Sequence, residues 1–301
     1  MLVSMRQMLD RAKAEKYAVA APNTFNVETV EAAFQAASEL KSPVIIDCAG
    51  VHGIELIAEL TRFYDKRYPE VPVALNLDHG STYEEAIRAI KAGFTSVMAD
   101  RSTLPYEDNV AQVKEIVRAA HAVGVSVEAE LGHVGMGFEY DKTRDGGLTD
   151  PDEAVRFVKE TDIDCLAVAV GTSHGSYKGE PRIEFDRLAV MHRRIDIPLV
   201  LHGGSGTGDD NLRRAVETGI QKVNLFTDLS NRGIGFMRVY LTGERPDADV
   251  EAAPVDGDGP AGEFDGDNRT VNLCDAFAEG AKGYKEALKH YMVLFGSAGK
   301  A

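Results

Sequence analysis

Three histidines of this chain, His79, His174 and His202, each stand where a short apolar run gives way to a glycine-containing turn. Imidazole is a common metal ligand, and three imidazoles with an open fourth position is the composition of a catalytic zinc site. Around the third, Pro198-Leu-Val-Leu-His-Gly-Gly-Ser-Gly-Thr207 reads as a buried strand, a glycine turn and a helix opening near Asp209 and Asp210. Such a turn can offer backbone N–H groups to a phosphate with no side chains in the way. Taken alone it is also what a tight strand-to-helix connection looks like. A metal beside a phosphate would suit an enzyme acting on a phosphorylated small molecule.

Further groups stand at similar positions. Asp78 precedes His79 and cannot point the same way if both continue one strand, yet it can reach a cavity where the backbone turns. Asp100 and Glu130 add carboxylates that could hold a second or alternative cation, divalent or monovalent, or simply accept from loop N–H groups. His52 and His133 fall in connections, where either could touch substrate and His133 could be a further ligand. The stretch Gly132–Leu148 is long for a connection and has four glycines after its first, as lids often do. Glu139 in its middle is either carried into a site on closure or an ordinary surface residue.

Positioning these groups requires strands that end side by side. Nearly continuous apolar runs mark strands at Tyr17–Ala21, Pro43–Cys48, Val73–Leu77, Ser96–Ala99, Ser126–Glu130, Cys165–Val170, Pro198–Leu201 and Lys222–Leu225. Between them, apolar residues recur at helical spacing, for example over Val27–Leu40, Tyr83–Ala92, Glu107–Val123, Asp152–Thr161 and Asp210–Thr218. This alternation predicts an α/β fold, a single (β/α)8 TIM barrel, in which strands buried on both faces end at the catalytic rim. A doubly wound open sheet also alternates, but no Gly-x-Gly-x-x-Gly follows the first strand. One segment breaks the rhythm: 243–270 is rich in proline, glycine and acid, with nine acidic residues against one arginine up to Asn268. It reads as a solvated, flexible insertion before a last helix near Asn272–Phe295.

The net charge of −15 argues against nucleic-acid or anionic-membrane partners. No apolar run reaches the length of a membrane span, and Met1 to Lys16 shows no signal-peptide core. Three scattered cysteines without C-x-x-C spacing point to a reducing cytoplasm.

Several motifs together resemble the class II, metal-dependent ketose-bisphosphate aldolases. They are Leu-Asp-His-Gly after strand three, Glu-Ala-Glu-Leu-Gly at strand five, Gly-Thr-x-His-Gly-x-Tyr-Lys at strand six, Leu-His-Gly-Gly-Ser-Gly at strand seven, Val-Asn-x-x-Thr-Asp at strand eight and the closing Phe-Gly-Ser-Ala-Gly-Lys-Ala. That family includes fructose- and tagatose-bisphosphate aldolases and a deoxy-phosphogluconate aldolase. The resemblance implies a zinc held by His79, His174 and His202, with Asp100 and Glu130 at an alternative metal position. It implies Asp78 as the acid/base at the aldehyde oxygen and Glu139 as the carrier of the C3 proton. Gly175, Lys178, Gly203, Gly204, Ser205, Asn224 and Thr227 fall on the cradle for dihydroxyacetone phosphate, with Asn23 a further substrate contact. A homodimer or homotetramer acting in glycolysis, with fructose 1,6-bisphosphate as the default substrate, follows by the same resemblance.

The departures cluster on the aldehyde half. Arg101 stands where glycine is usual, Phe226 where fructose-bisphosphate aldolases often have aspartate, and Pro22-Asn-Thr-Phe-Asn26 replaces a more usual run. The arginine expected before the last helix is not evident, so either Arg101 binds a second phosphate or the aldehyde carries none. Two rival readings are a non-catalytic aldolase-like subunit and a metal-dependent hydrolase of the same fold. The first has no reason to keep ligands, Asp78 and cradle together; the second usually shows His-x-His at strand one, where this chain has Ala-Pro-Asn.

Overall fold

The computed structural model describes residues 1–175, 177, 179–243 and 271–301. The acidic segment, apart from Gly243, and Lys178 therefore lie outside the described residues. Eight strands alternate with helices: β1 Val19–Pro22, β2 Val44–Ala49, β3 Val73–Gly80, β4 Ser96–Ala99, β5 Ser126–Leu131, β6 Cys165–Val168, β7 Leu199–Leu201 and β8 Lys222–Leu225. The helices are α1 Met5–Glu15, α2 Val27–Leu40, α3 Ile54–Arg67, α4 Tyr83–Ala92, α5 Tyr106–His121, α6 Tyr140–Gly147, α7 Pro151–Thr161, α8 Phe185–Arg194, α9 Asp209–Thr218, α10 Thr227–Thr242 and α11 Leu273–Leu294. None among the described residues is long and apolar enough to cross a membrane.

All strand pairings are parallel, in the order β1-β8-β7-β6-β5-β4-β3-β2. An isolated bridge between Asn23 and Asp47 brings β1 and β2 together, so the sheet curls into the expected barrel. Alternation of side chains along each strand divides the core in two. Leu75, Val97, Val127, Leu166 and Val223 face outward against helix residues such as Phe34, Ile57, Phe157 and Leu288. Val19, Ile45, Ala74, Met98, Cys165 and Val200 fill the interior together with Met5, Met8, Leu9 and Ala12 of α1. Helix α1, which the periodicity left unassigned, lies across the N-terminal strand ends: Val3 N–H donates to Val73 O, and Arg6 pairs with Asp164.

The stretch 132–148 is more ordered than a bare lid. It contains a 3-10 turn, Gly137–Glu139, followed by α6. Tyr140 is buried, and its hydroxyl donates to Gly171 O and accepts from Arg182 N–H. Gly137 N–H donates to His174 O. These bonds tie the connection after β5 to the one after β6, beside a histidine of the site.

Candidate active site

Strand β3 runs three residues further than its apolar run suggested, and this settles how Asp78 and His79 can be neighbours in one site. The register against β4 slips between Leu77 and Gly80, and His79 adopts a left-handed backbone with φ of 50°. A bulge of this kind re-aims side chains that would otherwise alternate. Both residues line one cavity of about 270 Å³ at the C-terminal mouth of the barrel.

Each of the three histidines uses one ring nitrogen for support and leaves the other without a hydrogen-bond partner. His79 Nδ1 is 2.7 Å from Asp100 Oδ2, which leaves Nε2 facing Asp78 Oδ1 at 3.8 Å. His174 Nδ1 is 3.2 Å from Val134 O, a carbonyl that can only accept, so that nitrogen carries the proton. His202 Nε2 is 2.8 Å from Glu128 Oε1. The buried His174 Nε2 and His202 Nδ1 have no partner. The ring centroids are 4.6 to 5.9 Å apart, and one nitrogen from each ring falls within a 4.8 Å cluster able to hold a metal. Carboxylate or carbonyl support on the far nitrogen is the arrangement that orients metal-binding imidazoles. The donor set fits a divalent transition metal.

The electrostatics agree. Burial, then the neighbouring His202 and His79, push His174 down to about 3, and burial lowers His202, so both rings are neutral. Burial also acts against His79, but Asp78, Asp100 and Glu130 outweigh it and hold that ring up at about 10. A cation taking its free nitrogen therefore displaces a proton. Asp78 is buried, which raises it, yet His79, His202 and Lys222 together with Asn23 hold it below the carboxylate range. Asn23 Nδ2 donates to Asp78 Oδ2 at 2.8 Å and Asn224 Nδ2 to Oδ1 at 2.9 Å.

A second cluster, His79, Asp100 and Glu130, also satisfies metal spacing. Glu130 Oε1 accepts from Val134 N–H, Oε2 is buried without a partner, and burial with Asp100 pushes the carboxyl up to about 8. Asp100 Oδ1 accepts from Ser102 N–H and Oγ, so this carboxylate also performs the loop-bonding role.

Beside the histidines, Gly203, Gly204, Ser205 and Thr227 line the cavity with Asn224 and Gly175. Two of these positions admit nothing larger than glycine. A Cβ on Gly203, where φ is 66°, would lie 2.4 Å from Ser173 O, and one on Gly204 would lie 2.6 Å from Val223 Cγ1. Ser205 Oγ accepts from Phe226 and Asp228 N–H groups at the start of α10. The glycine turn and a helix N-terminus thus meet at one wall, a setting suited to an anion.

Two expected site residues stand elsewhere. Arg101 is buried and turned away: Nη1 donates to Gly80 O and Asp100 O, and Nε donates to Gln112 Oε1. It ties the ends of β3 and β4 together and is not among the cavity's lining residues, which corrects its assignment to a second phosphate. Glu139 is exposed, with its carboxylate outside the cavity. Lys178 is not described. His133 sits exposed at the rim, its Nδ1 3.0 Å from Ser102 Oγ. Two residues beneath the site went unsuspected, Lys222 and Asp47. Their signal was a charged residue inside an otherwise apolar strand: Lys222 at the head of Lys-Val-Asn-Leu, and Asp47 within Val-Ile-Ile-Asp-Cys.

The sequence model described as fructose-bisphosphate aldolase class II matches residues 3–300. A fructose-bisphosphate aldolase of Helicobacter pylori is 40% identical over 280 residues, covering 83% of this chain and 91% of that protein. The 6-phospho-5-dehydro-2-deoxy-D-gluconate aldolase of Halalkalibacterium halodurans is 42% identical over 262 residues, covering 85% and 91%. Among solved structures, the YdjI aldolase of Escherichia coli K12 superposes with a TM-score of 0.81 at 31% identity, covering 100% of both chains.

Proposed function

The chain belongs to the class II fructose-bisphosphate aldolase family, and from that premise we propose a metal-dependent, reversible aldol cleavage of a ketose 1-phosphate or 1,6-bisphosphate. The products are dihydroxyacetone phosphate and an aldehyde. The observation that carries the reading is the set of three histidines, each braced on one nitrogen and open on the other. His79, His174 and His202 would hold the metal; zinc is the ion that three imidazoles with an open position suit best, and Asp100 and Glu130 offer an alternative cation position. When bound, the metal supplies Lewis acidity that favours negative charge on the ketose oxygens at C2 and C3.

The remaining work falls to side chains. Asp78, ionised and fixed by Asn23 and Asn224, takes the C4 hydroxyl proton as the C3–C4 bond breaks. Gly175, Gly203, Gly204, Ser205, Asn224 and Thr227 receive the phosphate end, with Lys178 assigned there by resemblance. Glu139 returns a proton to C3 after the loop carries it inward. No Schiff-base lysine is needed: Lys222, beneath the site, is wholly buried and paired with the Glu128 and Asp47 carboxylates. We place the enzyme in cytoplasmic carbohydrate metabolism, glycolysis included, as a homodimer or homotetramer; the unpaired cysteines support the compartment.

Removal of metal by a chelator should abolish cleavage, and borohydride with substrate should trap no adduct. Activity that survives chelation, or a reduced lysine adduct, sinks the mechanism. In Glu139→Ala the exchange of the C3 proton of dihydroxyacetone phosphate should slow; an unchanged rate returns Glu139 to the surface.

A further inference from the structure

The two walls of the cavity differ in what they can receive. One joins the Gly203–Ser205 turn to the start of α10, and backbone N–H groups at a helix N-terminus suit a phosphate. The neighbouring face, which joins it at Phe226, the residue capping α10, is aromatic. His52 and Phe226 line the cavity, and Phe25 packs against both. Ring centroids are 5.8 Å for Phe25–His52, 6.0 Å for His52–Phe226 and 6.1 Å for Phe25–Phe226, the last edge to face. Phe226 is 43% exposed, a large apolar face held toward an aqueous cavity rather than packed away. Beside it, His52 Nδ1 is buried without a hydrogen-bond partner.

A phosphate against this wall would lose water and gain nothing for it. Ring faces carry the negative side of the aromatic quadrupole, and burying an anion without a cation or donor set is costly. Among the described lining residues there is no lysine or arginine, and Arg101, outside that lining, donates from Nη1 to the Gly80 and Asp100 carbonyls and from Nε to Gln112. Burial holds the His52 imidazole below its ordinary range against the pull of Asp78, so the ring is neutral and supplies an acceptor rather than a charge. The C–H face of a hydroxylated carbon chain fits the rings.

We infer that Phe226, Phe25 and His52 form the specificity wall for the aldehyde half, and that the aldehyde it takes is an unphosphorylated hydroxyaldehyde. The ketose is then a 1-phosphate. This rests on the aldolase reading above and narrows its substrate. In the synthetic direction C3 of dihydroxyacetone phosphate loses a proton, the C3–C4 bond forms, and the aldehyde oxygen gains a proton.

The test is condensation of dihydroxyacetone phosphate by the metal-loaded enzyme with D-glyceraldehyde and, separately, with D-glyceraldehyde 3-phosphate. The wild-type ratio of kcat/KM should favour the unphosphorylated aldehyde by about tenfold or more, within what one wall can discriminate. Phe226→Ala should bring that ratio toward one; Phe226→Leu, which keeps apolar volume without a ring, serves if the alanine variant does not fold. A wild-type preference for the phosphorylated aldehyde, or a ratio unmoved in the folded Phe226 variant and in Phe25→Ala, overturns the inference. C3 proton exchange of dihydroxyacetone phosphate alone separates the two levels. Exchange with the wrong aldehyde preference defeats only this inference; neither exchange nor condensation defeats the aldolase reading and this with it.

Discussion

Glu128 and Glu130 stand two residues apart on β5, both wholly buried, and the chain treats them in opposite ways. Glu128 is surrounded by partners. Lys222 Nζ lies 2.7 Å from its Oε2 and His202 Nε2 lies 2.8 Å from its Oε1. Lys222, itself 0% exposed, also pairs with Asp47 at 3.4 Å, and Asn76 Nδ2 donates to Asp47 Oδ1. Burial would raise Glu128, but Lys222 and His202 hold it below the usual range. Glu130, one step nearer the mouth, has no lysine or arginine partner, only His133 Nδ1 at 3.9 Å, and burial with Asp100 pushes it up to about 8. Beneath the site, Lys222 offsets carboxylate charge from both Glu128 and Asp47, and burial pushes Asp47 well above its ordinary range. At the mouth, Glu130 Oε2, His174 Nε2, His202 Nδ1 and Asn224 Oδ1 are left for something else to satisfy. Buried polar atoms without partners are costly, and three of these, on His174, His202 and Asn224, belong to residues lining one cavity, where a cation or a polar substrate could satisfy them.

The sharpest way to break this contrast is at the mouth. Asp78→Ala should lower kcat by roughly two to four orders of magnitude, the range for a positioned acid/base, while metal per chain stays near the wild-type value. Metal content and steady-state cleavage of a ketose phosphate check this together. Loss of both would make Asp78 part of the metal's support instead. Below the site, Lys222→Met removes the cation between two carboxylates. Unpairing a buried ion pair typically costs about 3–5 kcal/mol, which urea unfolding would read directly. A double variant with Glu128→Gln should recover part of that loss; no recovery would separate Lys222 from Glu128.

A finer probe acts where the two regions touch. Glu128 is the group that fixes which nitrogen of His202 faces the cavity, and such support is generally worth about 10- to 100-fold in metal affinity. Glu128→Gln keeps an acceptor but discards the charge, so a weakening near the lower end is expected in a competition titration with a chromophoric chelator. Unchanged affinity would mean that packing alone orients His202.

The mouth was far more legible in the sequence than the layer beneath it. Candidate ligands at the ends of different strands leave a pattern, because strand ends recur at regular intervals, and His79, His174 and His202 all follow apolar runs. The barrel was legible for the same reason, down to most strand limits. Pairings across the barrel leave no such trace: Lys222 and Glu128 are 94 residues apart. Arg101 stayed ambiguous because a cation next to a strand end looks the same whether it faces substrate or backbone carbonyls. Asp78 and His79 were ambiguous because a register slip and a single left-handed residue, neither encoded in residue type, decide where both point. Helix α1 escaped because its apolar positions meet the barrel interior, not a neighbouring helix, and are diluted by charge.

The smallest effect expected tests whether distance in sequence, and not polarity as such, separates the two kinds of polar group. Asn26 caps α2 immediately after the Asn23–Phe25 segment. Its Oδ1 accepts from Thr29 N–H at 3.0 Å, and Thr29 Oγ1 accepts from Asn26 N–H at 3.2 Å, closing a capping box. All partners lie within four residues, so the unfolded chain can visit part of this arrangement and water can replace much of the rest. Asn26→Ala should therefore cost about 1 kcal/mol, the usual worth of an N-cap, well below the loss expected at Lys222. Both variants would be compared by urea unfolding under the same conditions. Metal per chain should be unchanged in Asn26→Ala, because the cap contacts none of the three histidines. A cost equal to that of Lys222→Met would mean that the capping box holds the first strand end in place for the whole barrel, and the division between a paired interior and an unpaired mouth would have to be redrawn to include it.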